Sequence, residues 1–353
     1  MNSTTTTPMP LNQPLHETVS IPESGLSMHP LPLPEMPGRR SRSPAAKALA
    51  VLLAVLAAGA VGTVSLYAYI AWLLARPDIS PLVSDPLHAV DLAYEDIVFL
   101  SEDGHMLEGW YIPAGEPAAR TIVFSHGYGG NREEIWVPIY DLARFAHDSG
   151  YNSLMFDYGY VNSTERVVTG GAKESLDLLG AVRYARERGA EQVVVWGFSM
   201  GAGTALQAAL SGGEIDAMIL DSTFVLEPDT LYYNLKQYAD LPREPSLTML
   251  RVMYPLINGA AIRDVPYRKI KETAYGMPIF MIHGTLDERS PYTIIRDVAM
   301  KQTETNELSE WWLVPDATHE LVYRKDPQEY KTRAAAFLAR VASAASLPAG
   351  PGR

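Results

Sequence analysis

The chain has 353 residues, 47% of them apolar, with 29 basic against 41 acidic side chains and a net charge of −12. That length suits one large domain or two ordinary ones, and the acidic balance argues against a nucleic-acid binder, which needs a basic face to displace counterions from phosphate. The absence of cysteine excludes disulfide scaffolds, thiol nucleophiles and cysteine-ligated metal centres.

Residues 1–46 read as a disordered tail: the run Thr4 to Thr7 is followed by nine prolines, including Pro30, Pro32 and Pro34. Such a stretch lacks backbone donors and the apolar mass for a core, so it is read as a spacer rather than a ligand for a partner domain. Ala48 to Ala75 then runs for 28 residues without a charge. As a helix it extends about 42 Å, longer than the ~30 Å hydrocarbon core, and residues 47–75 are expected to cross a bilayer once. Tyr67, Tyr69 and Trp72 near its end suit an interfacial belt. Arg39, Arg40, Arg42 and Lys47 precede the span and only Arg76 follows closely, which predicts a cytoplasmic N-terminus, with everything after Arg76 across the membrane. A cleaved signal peptide is the competing reading, but an h-region is usually about 7–15 residues. Residues 1–75 carry four basic and three acidic side chains, which leaves −13 on residues 76–353. An acidic domain of that kind should not bind anionic lipid through its own surface.

A linker (76–93) with Pro77, Pro81 and Pro86 leads into alternating strand and helix patterns over 94–345. The expected strands are Glu95–Leu100, Met106–Ile112, Thr121–Ser125, Ser153–Asp157, Gln192–Trp196, Asp216–Asp221, Pro278–His283 and Glu310–Val314. Helices are expected over Glu133–His147, Lys173–Arg188, Met200–Leu210, Pro291–Met300 and Pro327–Val341, and 346–353 as a disordered end. This order predicts an α/β fold, a mostly parallel eight-stranded sheet with helices on both faces.

Within it, Gly197-Phe198-Ser199-Met200-Gly201 falls between a β-branched strand and an Ala-rich helix. Gly-x-Ser-x-Gly in that setting lifts a serine hydroxyl above the carboxyl edge of a sheet on a strained turn, with Gly197 and Gly201 leaving room for neighbouring backbone. A serine needs a base, and the base a carboxylate to orient it. Only His283 and His319 follow Ser199. His319, after the last strand, is the expected base, and Asp287, past the strand ending at His283, the expected acid, with Asp221 as substitute. The backbone N–H groups of Met200 and of Tyr128, in the loop His126-Gly127-Tyr128-Gly129-Gly130-Asn131, are the expected oxyanion donors. A phosphate-cradling reading of that loop fails because GxxxxGK[ST] is absent.

From about Glu95 to Ala342 the chain resembles the α/β-hydrolase superfamily, nearest its bacterial esterase and serine-aminopeptidase-like branch. The resemblance rests on Glu102-Asp103-Gly104 with Gly109-Trp110-Tyr111-Ile112-Pro113, His126 to Glu133, Gly197 to Gly201, Asp221-Ser222-Thr223-Phe224 and His283 to Pro291. One departure is Phe156-Asp157-Tyr158-Gly159-Tyr160-Val161-Asn162-Ser163, where such enzymes read D.RG.G.S. The resemblance implies a helical cap inserted over the active site at 225–276. There Tyr232, Tyr233, Met253 and Tyr254 either line an apolar substrate pocket or hold the cap to the sheet.

The expected function is a membrane-anchored serine hydrolase with no metal and no cofactor, acting on a small-molecule or lipid-like acyl substrate, with the bilayer as its partner through residues 48–75. A carboxylesterase is the first reading. A peptidase or a lipid or protein deacylase is the second, and a catalytically silent scaffold that displays a binding surface is the alternative from another class.

Overall fold

A computed structural model describes residues 43–115, 119–134 and 136–345. The expectations for the N-terminal tail and the last eight residues fall almost wholly outside them. The chain divides after Val55, and the unit from Leu56 onward carries the whole sheet and its covering helices.

Eight strands are present among the described residues: β1 (Glu95–Leu100), β2 (Met106–Ile112), β3 (Arg120–Ser125), β4 (Asn152–Phe156), β5 (Gln192–Phe198), β6 (Ala217–Asp221), β7 (Ile279–Gly284) and β8 (Glu310–Val314). They form one sheet in the order β1-β2-β4-β3-β5-β6-β7-β8. The pairs β1–β2 and β2–β4 are antiparallel and the other five parallel. Every residue of β5 is buried, as a strand covered on both faces requires.

The helices are α1 (Pro44–Ala75), α2 (Pro86–Val90), α3 (Ile139–Asp148), α4 (Gly159–Asn162), α5 (Glu174–Glu187), α6 (Met200–Leu210), α7 (Pro228–Tyr238), α8 (Arg243–Asn258), α9 (Tyr267–Glu272), α10 (Tyr292–Thr305), α11 (Val322–Lys325) and α12 (Pro327–Ala345). One face of the sheet packs under α5, α6, α8, α9 and α10, in a core that includes Leu178, Ala205, Leu250, Ile270 and Val298. The other face packs under α3 and α12, through Leu142, Phe124, Trp196 and Phe337. The mostly parallel eight-stranded sheet with helices on both faces is the architecture that the strand–helix alternation predicts.

Two elements differ from expectation. The helix expected from Glu133 begins only at Ile139, because residues 131–134 spend their side chains on neighbouring loops. Asn131 Nδ2 donates to the Ser80 carbonyl (2.8 Å), and Glu133 Oε2 accepts from the Val83 N–H (2.7 Å). The linker is not featureless either: Asp85 caps α2 by accepting from the His88 N–H at 2.9 Å.

Among the described residues, α1 is the one helix long and apolar enough to cross a membrane. Its 32 residues are exposed through Leu66, after which Tyr67, Ala71 and Ala75 are buried in the same core as α8. The Tyr67 hydroxyl lies 2.7 Å from Ser246 Oγ, and Asn258 Nδ2 donates to the Ala71 carbonyl at 2.8 Å. The last turns of the helix are therefore part of the folded unit, not a free tether.

Candidate active site

β5 ends at Phe198, and Ser199 turns the chain into α6 with φ 49° and ψ −115°. A positive φ on a serine is strained. It is held by the Ser199 N–H donating to the Asp221 carbonyl at 2.9 Å, and by the Gly203 and Phe224 N–H groups on the Ser199 carbonyl. A Cβ at Gly197 would stand 2.7 Å from Ala202 Cα, and one at Gly201 would collide with the Ser125 carbonyl. Both glycines are sterically required.

His319 follows β8 and points back at the elbow. Its Nε2 is 2.8 Å from Ser199 Oγ, and its Nδ1 is 2.8 Å from Asp287 Oδ2. Asp287 is on the loop after β7, where its Oδ1 accepts from the Arg289 (2.9 Å) and Ser290 (2.6 Å) N–H groups. Burial pushes the Asp287 carboxyl up, but hydrogen bonds and charge from His283 and His319 outweigh it, and the group sits well below the usual carboxylate range. An ionised Asp287 fixes the proton of His319 on Nδ1, which leaves Nε2 free to accept from the Ser199 hydroxyl. Thus the three residues picked from the sequence come together, with Ser199 only 6% exposed.

Asp221, the substitute acid, is occupied elsewhere: its Oδ1 accepts from Ser222 Oγ (2.9 Å) and its Oδ2 from the Tyr330 hydroxyl (2.9 Å). Burial pushes it up to about 6. Ser222 Oγ also accepts from the Glu320 N–H at 3.0 Å, so this cluster braces the loop that carries His319.

The loop after β3 holds the other flank. Met200 opens α6, so its N–H has no partner within that helix. Tyr128 is 41% exposed, and its hydroxyl donates to the Leu74 carbonyl (3.2 Å) at the end of α1. His126 is buried, and burial pushes its imidazole down to about 4. Its Nε2 accepts from the Tyr158 N–H (3.3 Å), which puts the proton on Nδ1, facing the Gly127 carbonyl at 3.0 Å. Tyr158, next to Asp157, is packed against His126 and hydrogen-bonded to Ser125 Oγ, while Asp157 is paired with Arg132 at 2.9 Å.

Three further groups stand at the site to which the sequence assigned no role. His283 is fully buried, with Nε2 donating to the Ser290 carbonyl (2.6 Å) and 3.0 Å from Asp287 Oδ2. Glu134 accepts from the Gly127 N–H at 2.7 Å and from the Trp136 N–H at 3.2 Å. Glu320 places Oε1 against Gly127, where a Cβ would stand 2.5 Å from it and 3.3 Å from Glu134 Oε2, and that Oε1 has no hydrogen-bond partner among the described residues. Burial raises both glutamates, Glu320 furthest, with the Glu134 charge adding to it. The HGYGGNREE run signals a loop, but not that its second Glu turns inward to meet the residue after His319.

Among the cap residues, Tyr254 donates to the Val168 carbonyl (2.8 Å), Tyr232 to the Leu241 carbonyl (3.1 Å), Met253 packs on the core and Tyr233 is 39% exposed. The first three hold the cap together. Among the described residues one group could present three metal-ligating atoms, Asp103, His105 and Asp177. It already satisfies itself through His105, 2.9 Å from Asp103 and 3.0 Å from Asp177, whose carboxyl burial pushes up to about 7.

A family model for the alpha/beta hydrolase fold matches residues 120–247, from β3 into the cap. The esterase Pf2001 of Pyrococcus furiosus superposes with a TM-score of 0.60 at 27% identity, covering 75% of this chain and 97% of that one. An uncharacterized protein, YfhR, of Escherichia coli K12 is 26% identical over 235 residues, 64% of this chain and 73% of its own. The quorum-quenching protein AidA of Acinetobacter baumannii is 32% identical over 148 residues, 39% of this chain and 46% of that protein. Sheet order, elbow and these likenesses agree: the chain has the alpha/beta hydrolase fold, and esterases are among the structures it resembles.

Proposed function

We propose that the protein is a membrane-anchored serine hydrolase that cleaves carboxylic esters through Ser199, His319 and Asp287. The observation that carries this reading is the continuous run from Ser199 Oγ through His319 to Asp287, two contacts of 2.8 Å each, on a strained elbow. As His319 Nε2 takes the hydroxyl proton, Ser199 Oγ attacks the acyl carbon, and the carbonyl oxygen becomes an oxyanion facing the Met200 and Tyr128 N–H groups. Collapse expels the alcohol, which takes that proton from His319. Water then attacks the acyl-enzyme by the same route and frees the acid and Ser199. Ester rather than amide chemistry is favoured by the 27% identity to an esterase over nearly all of that enzyme's length.

The anchor reading rests on α1, exposed from Pro44 through Leu66. Those residues span about 34 Å as a helix, against a hydrocarbon core of ~30 Å. A removable leader would not bury Tyr67, Ala71 and Ala75 in the fold. The basic residues before the helix support, by the positive-inside rule, a cytoplasmic N-terminus with the hydrolase domain across the membrane.

The test is a fluorophosphonate probe applied to the full chain in detergent, beside Ser199→Ala. Labelling of the parent alone is expected. An unlabelled parent, or a variant that labels equally, ends the catalytic reading and leaves the silent-scaffold alternative.

A further inference from the structure

The cap helix α8 sits where the anchor leaves the fold. Its contacts with α1 run from Ser246, beside Tyr67, to Asn258, which holds both the Ala71 carbonyl and Arg76 Nη1 (2.5 Å). Those two α8 positions are about 18 Å apart along their helix, whereas Tyr67 and Ala71 are about 6 Å apart along theirs. The helices therefore cross, and if α1 runs through a bilayer, α8 lies along its surface.

The outward side of α8 suits that position. Leu247, Leu250 and Tyr254 face the core, while Val252 (49% exposed), Leu256 (71%) and Ile257 (38%) face outward with Arg251. Exposed leucine, isoleucine and valine on a short helix cost solvation in water and are favourable in a headgroup–acyl boundary. Ile257 and Trp72 line one open cavity of about 670 Å³ together with Arg76, so the apolar side of α8 continues onto the exposed end of α1. The charge fits too. Residues 243–272 carry six basic and three acidic side chains, although residues 76–353 as a whole are strongly acidic. The net acidity that argued against contact with anionic lipid is an average over a domain whose cap (225–276) is nearly neutral, seven basic against six acidic side chains, with its basic excess in the stretch that holds α8.

We propose that α8 is a membrane-surface helix, with Val252, Leu256 and Ile257 resting in the lipid headgroup boundary beside Trp72 and with Arg251 meeting anionic headgroups. The proposal rests on the anchor reading of α1. It places the cap against lipid, so amphiphilic acyl substrates reach the site from the bilayer surface.

The chain's lack of cysteine allows a direct test. Single variants Leu52→Cys (in α1), Leu256→Cys (in α8) and Ala336→Cys (exposed on α12, across the sheet) carry an environment-sensitive fluorophore in the full-length protein. Each is reconstituted in phosphatidylcholine–phosphatidylglycerol vesicles containing nitroxide-labelled lipid. Loss of fluorescence at positions 52 and 256, with none at 336, is the expected result. Quenching at 52 with position 256 as bright as 336 overturns the α8 proposal and leaves the anchor standing. An unquenched position 52 overturns the anchor and the proposal with it. If two copies of the unlabelled Leu256→Cys variant join through a disulfide on mild oxidation, and lipid quenching is absent, the face belongs to a second copy of the chain instead.

Discussion

On one side of Ser199, His319 and Asp287 stand on the loops after β8 and β7, and the groups that fix them come from the edge of the sheet. Ser290 and Arg289 supply N–H donors, His283 lies beneath, and Ser222 holds the Glu320 N–H. On the other side, the loop His126–Glu134 is held by chain that precedes the first strand: Leu74 accepts from Tyr128, Ser80 from Asn131, and Val83 donates to Glu133. On the proposed reading the two flanks serve one reaction, and they differ in origin: one is held by loops of the sheet edge, the other is braced by the end of α1 and the linker after it. The end of α1 is thus a structural part of the candidate site.

The largest effect should come from the base side. Ser199→Ala or His319→Ala is expected to lower kcat by ~10⁴–10⁶ with the fold intact, and Asp287→Asn by up to about 10⁴ through loss of the imidazole's tautomer. Steady-state kinetics on a chromogenic ester, with circular dichroism as the folding control, checks these. A loss below tenfold for His319→Ala would show that another group serves as base.

This flank was also the part legible in sequence. Gly197 to Gly201 announces its turn, the chemistry needs a base and an acid beside Ser199, and the order Ser199…Asp287…His319 is the one in which this fold brings such groups to one sheet edge. Strand patterns gave β1, β2 and β8 to the residue, because alternating or continuous apolar runs bounded by turns leave little freedom. The other flank was not legible. Tyr128, Asn131 and Glu133 look like ordinary loop residues, and that they bond to Leu74, Ser80 and Val83 some fifty positions earlier has no local signature. Nor does hydropathy reveal that α1 changes solvent at Tyr67, since a residue facing lipid and one facing a protein core read alike. The positions of Glu134 and Glu320 escaped for a different reason: two buried acids beside one glycine oppose the rule that charge stays outside, and no pattern predicts an exception.

Separating the two flanks calls for deletion. A chain beginning at Leu56 keeps everything that packs, while one beginning at Arg76 loses Tyr67, Ala71 and Ala75 from the core and the carbonyl that Tyr128 bonds. Losing the buried Tyr67 alone should cost roughly 3–5 kcal/mol by analogy with large-to-small core changes. The shorter chain should therefore melt well below the longer one in detergent. Whatever folds should show kcat reduced by ~10-fold or more as an oxyanion donor drifts, with KM for a small ester less affected. Equal melting and equal kcat for the two chains would dissolve the distinction between the flanks. A milder version is Glu133→Gln, which keeps shape but weakens a charge-assisted bond to the linker. It should cost about 1–2 kcal/mol in denaturant unfolding and spare catalysis.

The smallest effect lies at the seam, where the carboxylate of Glu320, the residue after His319, lies against Gly127 of the opposite flank and within reach of the Glu134 charge. Burial first, then the nearby Glu134 charge, raises the Glu320 carboxyl in the folded protein, so the native state holds a proton that the unfolded chain releases near its ordinary value of ~4.3. The sign follows from that. Below the ordinary value both states are protonated and the group is neutral to stability. Above it the unfolded chain binds fewer protons, so stability falls as pH rises, by at most ~1.4 kcal/mol per unit until the native group also ionises. Glu320→Gln fixes the neutral form. As pH rises above the ordinary carboxylate value the variant should gain steadily in melting temperature over the parent, the two converging toward the acid end. Asp287 runs the other way, since its lowered value lends stability that disappears only in strong acid, below the window in which the glutamate pair acts. A pH-independent gap between the Glu320→Gln and parent curves would mean that Glu320 holds no extra proton in the folded state. The two flanks would then meet through packing alone.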